Sequence, residues 1–321
     1  LSLFLLFAAI TFLAGPVFAP RIESNLDGGW RFQKGEFANG HEVGIDAASW
    51  ETVTVPHTWN AEDAANGGGD QHDSSKGYYR GPAWYRKEID LPISHDGKRV
   101  FVRFESASTV ADVYLNGQKI GSHRGGFTAF CFEVTSQIRF GQPNLLAVRV
   151  DNTYQEDIAP LSGDFPVFGG LIRPVQLVVC DKACITPLDF ASTGVYFRQS
   201  SVSADAADIE VTTKVDNGYD QTKSLVVRTE LKSPDGTTVW SDEKNGSVAD
   251  RKVESVVQKT TVPKPHLWNG LKDPFLYELK STVLLDGKPV DSVTQRVGIR
   301  NFQIDSAKGA FLNGRHYPVY G

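Results

Sequence analysis

Methionine is absent from all 321 residues, and cysteine occurs only at positions 131, 180 and 184. An odd count with no CxxC pair excludes a zinc ribbon and a dense disulfide framework. Three free thiols are by default buried side chains, although Cys180 and Cys184 flank Asp181-Lys182-Ala183 and could close a small loop in an oxidising compartment. Basic excess is also lacking. The formal net charge is −5, which gives nucleic-acid binding no electrostatic support. His57 and His72 lack metal-ligand spacing and a carboxylate partner in sequence, so no metal is assigned to them.

One long apolar run is present, LSLFLLFAAITFLAGPVFA, residues 1–19. Val17-Phe18-Ala19 has the small-x-small form of a cleavage site, so the run reads as a secretory signal and the mature protein as periplasmic or extracellular, with no stable membrane anchor. An uncleaved anchor is the alternative, because the run is near spanning length. Without a Met or a basic n-region the true start reads as missing.

From Pro20 to about Asp181 no stretch keeps an amphipathic helical period. Strand-like runs follow one another instead: 50–56, 83–91, 100–105, 111–115 before an Asn116-Gly117 turn, 145–150, and 171–179. Period-2 runs at this density indicate an all-β jelly roll or sandwich. Between Pro56 and Pro82 lies a long polar, glycine-rich stretch that carries His57, Trp59, Tyr78 and Tyr79, a surface loop with aromatic anchors or a functional one. A second unit, about 184–298, alternates over 209–215, 225–231, 253–262, 277–285 and 290–297, with turns at Pro234-Asp235-Gly236 and Asp286-Gly287. About seven strands in that length predict an immunoglobulin-like sandwich, without the cysteine–tryptophan–cysteine hallmark of antibody domains. Asn313-Gly314 predicts a further hairpin, because a type I′ turn needs φ > 0 at both central residues. The second strand of that hairpin, from His316, ends at once on Gly321.

Several phrases occur together in order: GGWRF (28–32), VTVPHTWN (53–60), GPAWYRKEIDLP (81–92), ADVYLNGQKIGSHRGGFTAFCFEVT (111–135), NLLAVRVDN (144–152), DFPVFGGLIRPVQL (164–177), PHLWNGLKDPFLYEL (265–279) and VGIRNFQID…GAFLNGRHYPVYG (297–321). This set resembles glycoside hydrolase family 2, the family of β-galactosidases, β-glucuronidases and β-mannosidases. The resemblance implies a jelly-roll sugar-binding domain (20–183), an immunoglobulin-like β-sandwich (184–298), and from 299 the first hairpin and strand of a (β/α)8 barrel cut short at Gly321. It also implies retaining glycoside hydrolysis, by two carboxyls about 5–5.5 Å apart at the C-terminal ends of barrel strands, hence beyond this chain. No catalytic residue is therefore assigned, and the chain by itself is expected to be inactive.

What the jelly roll could supply is substrate contact. By the resemblance, Asp164 stands where an aspartate reaches a sugar hydroxyl and a monovalent cation; a plain turn aspartate is the alternative. Asn60 is a candidate hydroxyl contact and Trp59 a candidate stacking platform, with packing as the alternative. Gly169 and Gly170 are expected to allow a bulge or close backbone approach, and Arg173 to pair with a carboxylate at the interface between sandwich and barrel. The expected partner is a carbohydrate, and the resemblance implies a β-galactoside. No cofactor is expected in this stretch, and a metal ion and a homo-oligomer are left open for the whole enzyme. The competing readings are a stand-alone carbohydrate-binding or adhesion protein of two sandwiches, and a β-glucuronidase or β-mannosidase of the same family.

Overall fold

The computed structural model describes residues 21–65, 77–159 and 167–319. The segment 1–19 lies outside them, and no helix among the described residues is long and apolar enough to cross a membrane.

Two antiparallel sheets form the first domain. In the larger, the strands Glu51–Val53, Trp30–Lys34, Pro82–Asp90, Pro143–Asp151, Val110–Leu115 and Gln118–Arg124 lie side by side in that order. The smaller runs Arg21–Asn25, Val175–Cys180, Arg99–Phe104, Phe130–Glu133. The inner faces meet in one core, which includes Trp30, Phe32, Tyr85, Val102, Phe104, Val113, Leu115, Leu146, Val148 and Leu177. Strand Val110–Leu115 shows why alternation found it: Ala111, Val113 and Leu115 are buried while their neighbours are half-exposed.

Strand Pro82–Asp90 departs from that pattern. Ala83, Trp84, Tyr85 and Arg86 are all buried, so both faces of the sheet are covered here. The segment 35–50 supplies the cover, laying Phe37, Ile45 and Trp50 against Trp84, Ala147 and Tyr114. Arg86 pins it by donating to the carbonyls of Gly40 (2.6 Å) and Glu42 (2.9 Å).

Leu171 to Val179 is not one strand. Pairing begins at Val175, directly after Pro174, whose ring leaves no N–H for a ladder. The residues before it are used otherwise: the Leu171 carbonyl accepts from the His57 N–H, and Gly170 makes an isolated bridge with Ser108.

The second domain is a sandwich of seven long strands and one short one. Val195–Ser200, Ala206–Asn217 and Val253–Pro263 join Ala183–Ile185 in one layer; Thr238–Val248, Lys223–Lys232, Tyr277–Leu285 and Lys288–Val297 form the other. Its core packs Val211, Val227, Leu231, Leu279, Val283 and Ile299. A three-stranded meander, Phe302–Asp305, Gly309–Leu312 and Arg315–His316, follows. Asn116-Gly117, Asp286-Gly287 and Asn313-Gly314 all have positive φ at both positions, as the hairpin reading requires.

The two domains are fastened by buried arginines. Arg21 donates from Nε to Asp291 Oδ1 (2.9 Å) and from Nη2 to Oδ2 (2.7 Å), and Asp291, fully buried, also accepts the Ile185 N–H (2.6 Å). Arg99 holds Glu133 of the first domain (2.7 Å) and Asp216 of the second (2.9 Å).

Candidate functional site

At one end of the first domain four segments converge: Pro56 to Asn60, Tyr78 to Gly81, the strand end at Asp151-Asn152, and Val167 to Gly170. Two buried asparagines join them. Asn60 donates from Nδ2 to Asp63 Oδ2 (2.9 Å) and to the Tyr79 carbonyl (2.8 Å). Its Oδ1 accepts from the Gly169 N–H (2.8 Å) and from Asn152 Nδ2 (3.2 Å). Two donors and two lone pairs are thus all spent inside the protein. Asn152 Oδ1 accepts from the Gly81 N–H (2.9 Å), and its Nδ2 also donates to the Val167 carbonyl (2.9 Å). Both side chains are fully buried, so each lost bond would leave a polar atom without water.

Around this knot the aromatic residues pack closely. Trp59 is only 4% exposed, stacked on Phe32 (6.0 Å between centroids, 18°) and edge-on to Tyr79 (6.2 Å). Its face carries protein, and the ring serves as a packing anchor among the described residues. Gly169 lies against that ring: a Cβ there would sit inside van der Waals contact of Trp59 Cζ2 and 2.8 Å from Asn152 Cγ. At Gly170 (φ +139°) a Cβ would meet the His57 carbonyl oxygen and stand 2.9 Å from the Tyr85 hydroxyl. Only glycines let this segment pass so close to two other stretches of chain.

His57 is bonded through Nδ1 to the Tyr85 hydroxyl (2.8 Å) and packs edge-on to Phe32 (4.7 Å). Burial, with help from the Lys34 charge, lowers its pKa to about 4, so the ring is neutral at pH 7. Tyr78 is buried with no hydrogen-bond partner for its hydroxyl among the described residues, and burial pushes its pKa up to about 12.

The positions singled out from sequence therefore fall into three groups. Asn60, Trp59, Gly169 and Gly170 come together in one knot. Asp164 lies outside the described residues, as does His72. Arg173 is exposed and has no ion-pair partner among the described residues; the carboxylate expected for it belongs to the barrel side of the interface, outside them. Asn152 and Asp63 escaped the sequence reading: their partners are remote in sequence, Asn60 being 92 positions from Asn152. The one available signal was a buried-strand end on Asp-Asn. Among the described residues no group of three or more His, Cys, Asp or Glu could hold a metal ion. Chemically the knot is a rigid support. It fixes where the flanking loops leave the sandwich and spends its own polar groups doing so.

Two family models match the two domains in order. One, described as "Glycosyl hydrolase 2 galactose-binding domain-like", takes in residues 50–163, and the other, "Glycosyl hydrolases family 2", residues 193–300. The chain belongs to glycoside hydrolase family 2. A β-glucuronidase of Bacteroides fragilis is 39% identical over 305 residues, covering 94% of this chain and 41% of its own length. The β-galactosidase BoGH2A of Bacteroides ovatus is 28% identical, covering 94% and 34%. The crystal structure of a Bacteroides uniformis β-glucuronidase superposes with a TM-score of 0.84 at 32% identity, covering 92% of this chain and 34% of that one. The family 2 chain described here thus spans well under half the length of the relatives it matches.

Proposed function

We propose that this chain is the sugar-side scaffold of a longer, exported retaining β-glycosidase that hydrolyses O-glycosidic bonds of carbohydrates. The observation that carries the reading is the ordered pair of family 2 domains on a chain that covers 94% of itself but only 41% of its Bacteroides fragilis relative. By the family pattern, the two carboxyls that cleave the bond, about 5–5.5 Å apart, are assigned to a part of the enzyme other than these two sandwiches. Asp164 is the proposed contact to a substrate hydroxyl, with a cation as its second partner. We favour a β-glucuronide over a β-galactoside because the curated relatives at 39% and 32% identity are named β-glucuronidases and the curated β-galactosidases stand at 28% and below, although a solved Bacteroides fragilis structure at 37% identity is named a "putative beta-galactosidase".

The test is a pair of proteins assayed on 4-nitrophenyl β-glucuronide and β-galactoside: the 321-residue chain, and the whole reading frame that contains it. The expected result is turnover only by the whole frame, faster on the glucuronide. Asp164→Ala in that protein should lower turnover more than it lowers the melting temperature. Hydrolysis by the 321-residue chain alone would overturn the scaffold role. A stop codon directly after Gly321 would favour a stand-alone carbohydrate-binding protein.

A further inference from the structure

The turn that joins the two domains carries a feature the glycosidase reading does not use. Cys180 ends the strand Val175–Cys180 of the first domain, and Cys184 lies in Ala183–Ile185, the first strand of the second. Both side chains are buried, at 1% and 0% exposure, in one small cluster with Phe101 and Val178, and Cys131 packs on its edge. All three are free thiols here, and the Cys180 and Cys184 side chains share that cluster across only three intervening residues. Each residue between them is held. Asp181 accepts from Lys98 Nζ (2.8 Å) and from the Tyr219 hydroxyl (3.0 Å). The Lys182 carbonyl accepts from the Gly218 N–H (2.7 Å), its ammonium lies over the Tyr219 ring (5.6 Å), and Ala183 is fully buried. A turn pinned at all three positions holds the two cysteines in one small cluster, and a bridge requires that kind of proximity.

We propose that Cys180 and Cys184 are a disulfide-forming pair that staples the inter-domain turn. The chemistry is thiol–disulfide exchange with a small-molecule or protein disulfide as oxidant. One cysteine thiolate attacks a sulfur of the oxidant and releases one thiolate. The second cysteine then attacks the mixed disulfide at the first cysteine's sulfur and releases the other. The two cysteines lose two protons and two electrons in all, and the oxidant becomes two thiols. In the closed fold both side chains are buried, and the neighbouring Cys180 thiol together with burial holds the Cys184 thiol up although Arg99 Nη1 stands 3.7 Å from its sulfur. Exchange therefore belongs to folding, before the turn closes, and the finished bond is out of reach of reductants. The bridge sits between the Arg21–Asp291 and Arg99–Asp216 latches and fixes the same junction.

Trypsin separates the pair, because it cuts after Lys182 and not at Arg173-Pro174. The 321-residue chain is expressed in an oxidising periplasm, purified without reductant, alkylated and digested. The expected product is peptide 150–182 joined to peptide 183–198, about 2 Da below the sum of the reduced peptides, with Cys131 alkylated. Cys131→Ser should leave the link intact, and dithiothreitol present during unfolding should lower the melting temperature. Alkylation of all three cysteines, or a link that includes peptide 125–139, which carries Cys131, would overturn the proposal.

Discussion

His57 shows how one side chain ties the candidate site to pH. Its folded pKa, about 4, lies below the ordinary 6.5, so between those values the unfolded chain binds more protons than the folded one. Stability therefore rises with pH through that window, is complete above about pH 6.5, and is lost as pH falls towards 4. Urea titrations at pH 7 and pH 4.5 should show a drop in midpoint that His57→Gln reduces. An identical drop in the variant would assign the effect to other groups. Asn152 gives a second test. Asn152→Ala strands the Gly81 N–H, the Val167 carbonyl and half of Asn60 Oδ1 in a buried setting, a cost of about 2–3 kcal/mol. Asn152→Asp should be no better, because a carboxylate would face the Val167 carbonyl and Asn60 Oδ1. A loss under about 0.5 kcal/mol in either variant, small enough for an ordinary surface change, would show that the knot does not carry the load assigned to it.

At the level of elements, the segment Val167 to Gly170 is defined by what it must avoid. Gly169→Ala drives a methyl into the Trp59 ring, and Gly170→Ala drives one into the His57 carbonyl at an unfavourable φ. Each should cost about 3 kcal/mol by overpacking, read as a shift in denaturation midpoint, and a midpoint unchanged from the parent would contradict the close approach. The contrast with the strands explains what could be read in advance. Strand Val110–Leu115 and the Asn-Gly turns report themselves, because alternation and left-handed φ are local demands. Strand Pro82–Asp90 hides its second buried face, since the cover comes from residues 35–50, which pack from elsewhere in the chain. The Asn60–Asn152 knot is invisible for the same reason: asparagine at a loop reads as turn chemistry until a partner 92 positions away turns it into a core residue.

For the whole molecule, the question is whether two sandwiches behave as one body. Each has its own core, so each could in principle melt alone. What opposes this is the pair of arginine latches, and the Arg21 one is the more demanding, because its partner Asp291 has no access to water. Removing the guanidinium in Arg21→Ala leaves a buried carboxylate that retains only backbone N–H donors from Ile185 and Ser292. Breaking a buried pair in this way costs about 3–5 kcal/mol, whereas replacing both partners by apolar residues of similar volume often costs little. Calorimetry of the parent chain should then give one transition with calorimetric and van't Hoff enthalpies in agreement. Arg21→Ala should split it into two, with the domains uncoupled, and the double variant Arg21→Met/Asp291→Leu should restore most of the lost stability. A single unshifted transition in Arg21→Ala would mean that packing and the Arg99–Asp216 pair suffice to hold the domains, and that the ion pair between the first strand and the second sandwich is incidental to their coupling.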